Sequence, residues 1–173
     1  MSHSSSSFTF ELTRLIPRLH RYAYVLTHNK SDSDDLVQAA LERAIIKQHQ
    51  WKDGTQLDRW TFTILASIWK NELRARTYRR GNGVVDADNL EDQSAQSSLE
   101  RTFLLNQVFN QTMALPENQR ELILLIYVEG FQYQEAANIL EIPVGTVMSR
   151  LARARINLAA QLEIPARKKQ GKA

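Results

Sequence analysis

The stretch YQEAANILEIPVGTVMSRLARAR, residues 133–155, has the pattern of two helices joined by a tight turn. The adjacent small residues Ala136 and Ala137 allow the two helices to approach closely, and EIP at 141–143 supplies the turn. With about 100° between successive residues of a helix, one apolar stripe runs along the second helix. The stripe consists of Val147, Leu151, Ala154 and Leu158. We expect this stripe to be buried, which predicts a helix-turn-helix.

The remaining surface of the second helix carries the candidate DNA contacts. Ser149, Ala152, Arg153 and Ile156 point away from the stripe, whereas Arg150 and Arg155 flank it on opposite sides. An outward arginine can bond the edge of a guanine or a phosphate, and serine suits phosphate. Charge alone would fit a solvated basic surface equally well, but the buried stripe and the close helix contact favour DNA binding. The predicted contacts are Thr146, Met148, Ser149, Arg150, Arg153 and Arg155.

Charge divides the chain into two parts. RARTYRR at 74–80 carries four arginines, and the next stretch, 81–100, carries five acids and no base. Its glycines and small polar residues indicate a linker rather than a loop packed inside one domain. We therefore predict an all-α fold of two small helical domains, 8–80 and 101–165, joined by an acidic flexible linker at 81–100. The basic end RKKQGKA is expected to be disordered.

Both parts are predicted to be helical because proline is scarce and no hairpin signal separates alternating apolar runs. The predicted helices span residues 8–27, 31–47, 59–79, 99–114, 117–128, 132–140 and 144–162. Ser31 or Asp32 is the expected cap of the second helix. Pro116 and Pro143 suit first-turn positions, and Gly130 suits a C-terminal stop.

The third helix combines an apolar stripe with a polar one. Its apolar residues are Phe62, Leu65, Trp69 and Leu73, with Trp60, Ile64 and Ile68 beside them. Tryptophans can stack on unpaired bases, but this helical spacing favours a place in the core. A polar loop beside a rigid helix can form the pocket that a flipped base needs. The predicted single-strand contacts are Trp51, Lys52, Asp53, Gly54, Gln56, Thr63, Ser67, Lys70, Asn71 and Arg74.

The second helix has one apolar and one polar face. We expect Leu36, Val37, Ala40, Leu41 and Ala44 to be buried, which leaves Asp35, Gln38 and Glu42 on the polar face. Charge pattern alone would favour a merely solvated surface here.

Several classes of function are disfavoured by composition. Hydrophobic residues make up 43% and charged residues 24%, as in folded soluble proteins. The chain has no cysteine, and its four histidines lack metal-ligand spacing. No phosphate loop, dinucleotide fingerprint or nucleophile elbow occurs. The start lacks the order of a secretion signal, and the longest apolar run, LILLIYV, is too short to cross a bilayer. We expect no catalytic residue, metal, cofactor or membrane insertion, and a cytoplasmic location.

Three segments resemble bacterial RNA polymerase sigma factors of the extracytoplasmic-function (ECF) group. EIPVGTVMSRLARAR resembles the family's final DNA-binding helix, and LPENQRELILLIYVEGFQYQEAANIL resembles the segment before it. SDSDDLVQAALERA resembles the core-binding helix of the family's other domain. The resemblance covers roughly residues 8–162 in the family's order and spacing.

This resemblance implies a role in transcription initiation. The first domain would read the promoter −10 element and the second the −35 element. Asp35, Gln38 and Glu42 would bind the clamp coiled coil of RNA polymerase core, whose flap is a further contact. The implied partners are RNA polymerase core, promoter DNA and an anti-sigma factor.

Four residues depart from the family pattern. Ala39 stands where an acid is frequent, Ala66 and Ser67 stand where Arg and Asn are usual, and Met148 replaces a basic residue. Methionine cannot hydrogen-bond a base edge but can touch a thymine methyl group. These differences bear on the promoter sequence rather than on the role.

Two other functions remain open from the residues alone. One is a helix-turn-helix repressor or activator that binds duplex operators as a dimer, and the other is a purely protein-binding helical module. The chain has no heptad run to supply a coiled-coil dimer. Co-purification with RNA polymerase core distinguishes a sigma factor from both.

Overall fold

The computed structural model describes residues 3–52, 55–81 and 101–161, and every regular element in these ranges is helical. The helices are α1 (His3–Thr27), α2 (Lys30–Ile46), α3 (Leu57–Gly81), α4 (Arg101–Met113), α5 (Glu117–Ile123), α6 (Tyr133–Leu140) and α7 (Val144–Gln161). A 3-10 turn spans Gln48–Gln50, and a π-helical segment at Leu124–Val128 continues α5. The all-α prediction is therefore confirmed. Apart from Gly81, the predicted linker lies outside the described residues, as do Asp53, Gly54 and the basic end.

The junction between α1 and α2 corrects one predicted cap. The Asp32 amide donates to Asn29 Oδ1 at 3.0 Å, so Asn29 is the N-cap of α2 rather than Ser31 or Asp32. The reason is that His28 adopts a left-handed φ of 55° and ends α1 directly before Asn29. Asp32 instead lies in the first turn, where the helix dipole favours an acid.

Pro116 and Gly130, which were predicted near helix ends, lie there in the structure. Pro116 is the N-cap of α5, one position before the first helical residue. Gly130 has a φ of +78°, which a residue without Cβ adopts at little cost, and it follows the end of the π-helical segment as predicted.

Helices α1, α2 and α3 form the N-terminal part around an apolar core. Leu19, Tyr22, Phe62 and Leu65 are fully buried there. The predicted inner face of α2 is confirmed: Leu36, Val37, Ala40 and Ala44 are buried, and Leu41 is partly buried against the core.

The helix-turn-helix is formed by α6 and α7. Ala136 and Ala137 are buried at the helix contact, and Val147, Leu151 and Ala154 are buried with Leu158 packed beside them. In the turn, Glu141 adopts a left-handed φ of 54°, and the Ile142 amide donates to the Ala137 carbonyl at 3.0 Å. These backbone bonds satisfy the end of α6 and direct the chain into α7.

The N-terminal and C-terminal parts contact each other. Helix α1 packs against α5 and the π-helical segment, and α3 packs against α6. The rings of Phe62 and Phe131 meet edge to face across this boundary with centroids 5.1 Å apart. Sequence patterns gave no indication of this contact.

Candidate nucleic-acid interface

The outward face of α7 is open to solvent. Met148 and Ile156 are 55% and 68% exposed, and Ser149, Ala152 and Arg153 are exposed beside them. The predicted face assignment is therefore confirmed, although the contacts to DNA remain predictions. Thr146 is half-buried, and its carbonyl accepts a hydrogen bond from Ser149 Oγ at 3.1 Å.

Arg155 is held by two tyrosines that the sequence did not single out. Its Nε donates to Tyr127 Oη at 2.8 Å and its Nη2 to Tyr133 Oη at 2.9 Å. The guanidinium also lies 5.7 Å from the centroid of the Tyr127 ring. The tyrosines orient Arg155, and a guanidinium with five N–H groups retains donors for a phosphate. No local pattern reveals this cluster, because its members lie on three different helical segments.

Arg150, the other flanking arginine, is half-buried and lies near Glu121. Its positive charge favours the charged form of that carboxyl and so opposes the rise in the pKa of Glu121. Arg150 therefore has an internal electrostatic partner, unlike Arg153, which is exposed.

The polar stripe of α3 lies partly against α6. Thr63, Ser67 and Lys70 are half-buried, whereas Asn71 and Arg74 are exposed. Lys70 Nζ lies 3.1 Å from Glu141 Oε2 in the turn of the helix-turn-helix. Of the loop residues that the structure describes, Lys52 and Gln56 are exposed, and Trp51 is half-buried with its ring 5.5 Å from that of Phe8. The polar residues of α3 thus lie together, but only Asn71 and Arg74 among these five are fully open to solvent.

The preference for Trp69 as a core residue is confirmed. Its side chain is 5% exposed, its Nε1 donates to Glu117 Oε1 at 2.8 Å, and Arg76 lies over its ring at 5.4 Å. Trp60 is partly buried and meets the Phe8 ring edge to face. In this arrangement Trp69 is unavailable for stacking on bases.

The polar face of α2 is free. Asp35, Gln38 and Glu42 are all exposed, and Gln38 Nε2 donates to Glu42 Oε1 at 3.1 Å. This surface is available to a partner.

Arg120 is a buried residue that sequence patterns missed. Its Nε donates to the Val25 carbonyl at 2.7 Å, and its Nη1 donates to the Met113 and Leu115 carbonyls at 3.1 and 3.0 Å. Burial lowers the pKa of Arg120. The three carbonyls lie at or near the ends of α1 and α4, where backbone acceptors have no partner within the helix.

Glu121 is a second ionisable residue at the boundary between the parts, and it is half-buried. Tyr22 Oη donates to Glu121 Oε1 at 2.5 Å, and Tyr22 is fully buried. Burial raises the pKa of Glu121 to about 7, with Glu117 adding to the rise, against the Tyr22 bond and the nearby Arg150 and Arg120. Burial likewise raises the pKa of Tyr22. The folded chain therefore favours a protonated Glu121 more than the unfolded chain does.

This raised pKa predicts a stability change with a definite sign. The unfolded carboxyl ionises near 4.5, so Glu121 destabilises the fold as pH rises from there, with the full cost present above about 7. That cost is at most about 3 kcal/mol. The variant Glu121→Gln should therefore gain stability over the native chain between about pH 5 and pH 8. Urea unfolding of both chains at several pH values measures the difference, and a constant difference would contradict the assignment.

Two further properties of the described residues concern metal ions and membranes. Among them, no group of three histidine, aspartate or glutamate side chains is arranged to hold a metal ion. No helix within the same ranges is long and apolar enough to cross a membrane.

Two families of sigma-factor domains match the chain. The family described as Sigma-70, region 4 matches residues 105–158, which include α6 and most of α7. The family described as the Sigma2 domain of PhyR matches residues 12–66, within α1 to α3. The two matches fall on the two predicted domains.

Whole proteins and a solved structure are also similar. The chain is 34% identical over 164 residues to the ECF RNA polymerase sigma factor EcfG of Rhodopseudomonas palustris, covering 92% of this chain and 87% of that protein. It is 32% identical over 134 residues to the ECF RNA polymerase sigma-E factor of Escherichia coli K12, covering 72% and 70%. The sigma factor RpoE of Bartonella quintana, solved with the anti-sigma factor NepR, matches with a TM-score of 0.76 at 32% identity, covering 92% and 98%. The chain therefore belongs to the extracytoplasmic-function group of RNA polymerase sigma factors, which direct promoter-specific transcription initiation.

Proposed function

We propose that this sigma factor binds RNA polymerase core through α2, reads the −35 element through α7 and reads the −10 element through α3 and the loop before it. The observation that carries the proposal is the outward face of α7, which is exposed while the opposite stripe is buried. As a partner of the polymerase, the chain would act in the bacterial cytoplasm.

Recognition at −35 would divide between base and phosphate contacts. Arg153 lies at the centre of the exposed face and is positioned for a base edge. Arg155, oriented by Tyr127 and Tyr133, suits a phosphate at the side of the groove. Met148 supplies an apolar contact that fits a thymine methyl group.

Recognition of the −10 element would use the basic side chains of Lys70 and Arg74 and the side-chain amide of Asn71, all on α3. Arg74 and Asn71 are exposed, and Lys70 follows the same face. Lys52 and Gln56 flank the loop that would receive a base from the separated strand. Glu141 now pairs with Lys70 and would have to move away for this contact to form.

Docking on the polymerase would use the face of α2 that carries Asp35, Gln38 and Glu42, because all three side chains are exposed. This surface would take the clamp coiled coil, and the C-terminal part would take the flap. Control by an anti-sigma factor is supported by the RpoE structure, which matches over both parts of the chain at once.

Reconstitution with polymerase core tests this function. The purified chain should bind core, bind an isolated duplex weakly and start transcription at a restricted set of promoters selected from a genomic library. The paired variant Asp35→Ala, Gln38→Ala should lose core affinity while retaining its helical content. A chain that ignores core and binds a palindromic duplex tightly would instead be a repressor or activator.

Three arginine variants test the assignments on α7. Arg153→Ala should weaken promoter-specific recognition by about 1–3 kcal/mol, the range for a base contact, and relax the preference at one position. Arg155→Ala and Arg150→Ala should act evenly across sequences and flatten the salt dependence, as loss of a phosphate contact does. Footprinting on matched and mutated −35 elements ranks the three variants. A dispensable Arg153 beside two essential flanking arginines would contradict the face assignment.

A further inference from the structure

Helix α7 carries a second apolar row, which is not buried. Its members recur at every fourth residue and are all exposed: Val144, Met148, Ala152 and Ile156. Val144 is 37% exposed, Met148 55% and Ile156 68%. Side chains four residues apart lie one above another along a helix, so these residues form one continuous ridge. We call it the apolar ridge, and its length is about 18 Å at about 1.5 Å per residue.

The apolar ridge lies on the side of α7 that faces away from the core. At about 100° per residue, Ile156 and the buried Val147 lie about 180° apart around the helix. A helix that carries apolar side chains on opposite sides is usually covered on both. Contiguous exposed apolar residues with a polar rim mark an interaction site. The apolar ridge is therefore a surface that a partner covers.

The side chains beside the apolar ridge indicate the chemistry of that partner. Arg155 flanks it on one side and Arg153 on the other, and both are exposed. Helix α7 contains three arginines and no acidic residue, which suits a polyanion. Hydroxyl groups of Tyr127 and Tyr133 accept from Arg155 at 2.8 and 2.9 Å and hold it in place. In the major groove of DNA, base edges lie between two rows of phosphates, and an arginine can bond either.

Two positions on the same side of α7 leave room for a close approach. Gly145 lies in the first turn, and a Cβ placed there would meet no atom within 4 Å. Gly145 also lacks a positive φ, so neither packing nor backbone conformation requires a glycine at this position. Glycine suits a place where a ligand approaches the backbone. Ala152 in turn puts only a methyl group between the larger Met148 and Ile156.

We propose that the apolar ridge reads thymine methyl groups in the −35 element, with one methyl group seated over Ala152 between Met148 and Ile156. The inference rests on the function proposed above, because it names what α7 recognises at that element. Among the four unmodified bases, only thymine presents a methyl group in the major groove. Isoleucine has no hydrogen-bonding side chain and the methionine thioether is only a weak acceptor, so both distinguish bases by apolar contact. The ridge can cover at most about five base pairs at about 3.4 Å each.

Replacement of thymine by deoxyuridine tests this reading. Uracil lacks the methyl group but keeps the O4 acceptor and the pairing of thymine. Holoenzyme reconstituted from polymerase core and this chain first selects a promoter, and each thymine of its −35 element, on either strand, is then replaced in turn. At least one replacement should weaken holoenzyme binding about fourfold, the effect of exposing one buried methyl-sized group. Uracil between the two elements is the control and should leave binding unchanged.

Variants of the apolar ridge test which side chains carry the effect. Met148→Ala should weaken binding to the thymine promoter and make binding insensitive to uracil. Ala152→Leu fills the proposed methyl site and should do the same. Met148→Lys should also lose the methyl preference, while its binding becomes more dependent on salt because one more cation meets phosphate. Val108→Ala shortens an exposed apolar side chain of α4 and should leave the thymine-to-uracil ratio of affinities unchanged.

Gly145→Ala tests the close approach by itself. The added methyl group meets open space in the free chain, and alanine favours a helix more than glycine does, so the melting temperature should not fall. Holoenzyme binding should nevertheless weaken on thymine and uracil promoters alike, because the methyl group stands between α7 and the base edges. Unchanged binding would contradict the close approach on which the seating of the thymine methyl group depends.

The outcomes separate this inference from the proposed function. A promoter that is still selected but binds equally well with uracil at every thymine of its −35 element would overturn the methyl reading and leave the function intact. A selected −35 element without thymine on either strand would overturn it as well. If Met148→Ala binds promoter normally but binds core less tightly, the apolar ridge is a protein-binding surface instead. A chain that selects no promoter with core would reject the proposed function itself. Thermal melting by circular dichroism identifies an unfolded variant, and Met148→Lys then decides the test.

Discussion

Replacing Arg120 with methionine should lower the free energy of unfolding by roughly 3–5 kcal/mol, because loss of a buried hydrogen-bond network is one of the few mechanisms with effects larger than those of ordinary substitutions. Three carbonyls, from Val25, Met113 and Leu115, would lose their donor together. A hydrogen bond to a charged group contributes about 1.5–3 kcal/mol, and a buried acceptor without a donor costs about 1–3 kcal/mol. Removing the buried cation recovers part of its desolvation cost, so the losses do not simply add.

The position of Arg120 explains why one residue has so large an effect. Val25 lies in the last turn of α1, and Met113 and Leu115 lie at the end of α4, where the last carbonyls of a helix lack partners. A cation is also favoured at the negative end of a helix dipole. Arg120 thus caps two helices, one in each part of the chain.

Urea unfolding of Arg120→Met beside two other variants checks this assignment. Arg120→Lys keeps the positive charge, but one ammonium group cannot donate to three separate carbonyls as the forked guanidinium does. Its free energy of unfolding should therefore lie between those of the native chain and Arg120→Met. Arg14→Met is the matched control on α1, because Arg14 is exposed. A loss below about 1 kcal/mol for Arg120→Met would mean that water hydrogen-bonds the three carbonyls in place of the guanidinium. That result would contradict the burial of Arg120.

The part of the fold that could be predicted from sequence is the part that depends on neighbouring residues. The stripe through Val147, Leu151 and Ala154 repeats with the helical period, and Gly130 supplies a positive φ that few other residues adopt. Both features are local, so the helix-turn-helix and its exposed face followed from the residues. The place of Trp69 in the core followed from the same periodicity.

The contact between the parts could not be predicted in this way. Arg18 and Glu129 are separated by 111 residues, and no helical period relates them. Ser31 or Asp32 is the cap that residue type favours, yet the left-handed residue His28 makes Asn29 the N-cap and α2 begins at Lys30. The helical period places Arg155 beside the buried stripe but cannot reveal its bonds to Tyr127 and Tyr133, because these tyrosines lie on other segments.

Replacing Phe62 with alanine should have an effect as large as that of Arg120→Met and should reach both parts of the chain. Phe62 is fully buried, stacks on Tyr22 with centroids 5.2 Å apart and meets Phe131 edge to face at 5.1 Å. Loss of a buried phenylalanine side chain costs about 3–5 kcal/mol. Arg18 also lies 5.4 Å from its ring and bonds Glu129 Oε2 at 2.7 Å, so the same change removes a contact that helps to hold Arg18 in place.

The loss of stability in the N-terminal part and the loss of contact between the parts can be measured separately, because Phe62 contacts one aromatic residue in each part. Tyr22 belongs to the core of α1 to α3, so its lost stacking should lower the melting temperature of the N-terminal part. Phe131 precedes α6, so its lost contact should lengthen the distance between spin labels at Lys47→Cys and Asn110→Cys, one exposed position in each part. Phe62→Leu retains most of the apolar volume but no ring, and should keep more stability than alanine while still lengthening that distance. If Phe62→Leu and Phe62→Ala both melt early with the label distance unchanged, the ring serves only the N-terminal core, and the contact between the two parts rests on polar bonds such as that of Arg18 with Glu129.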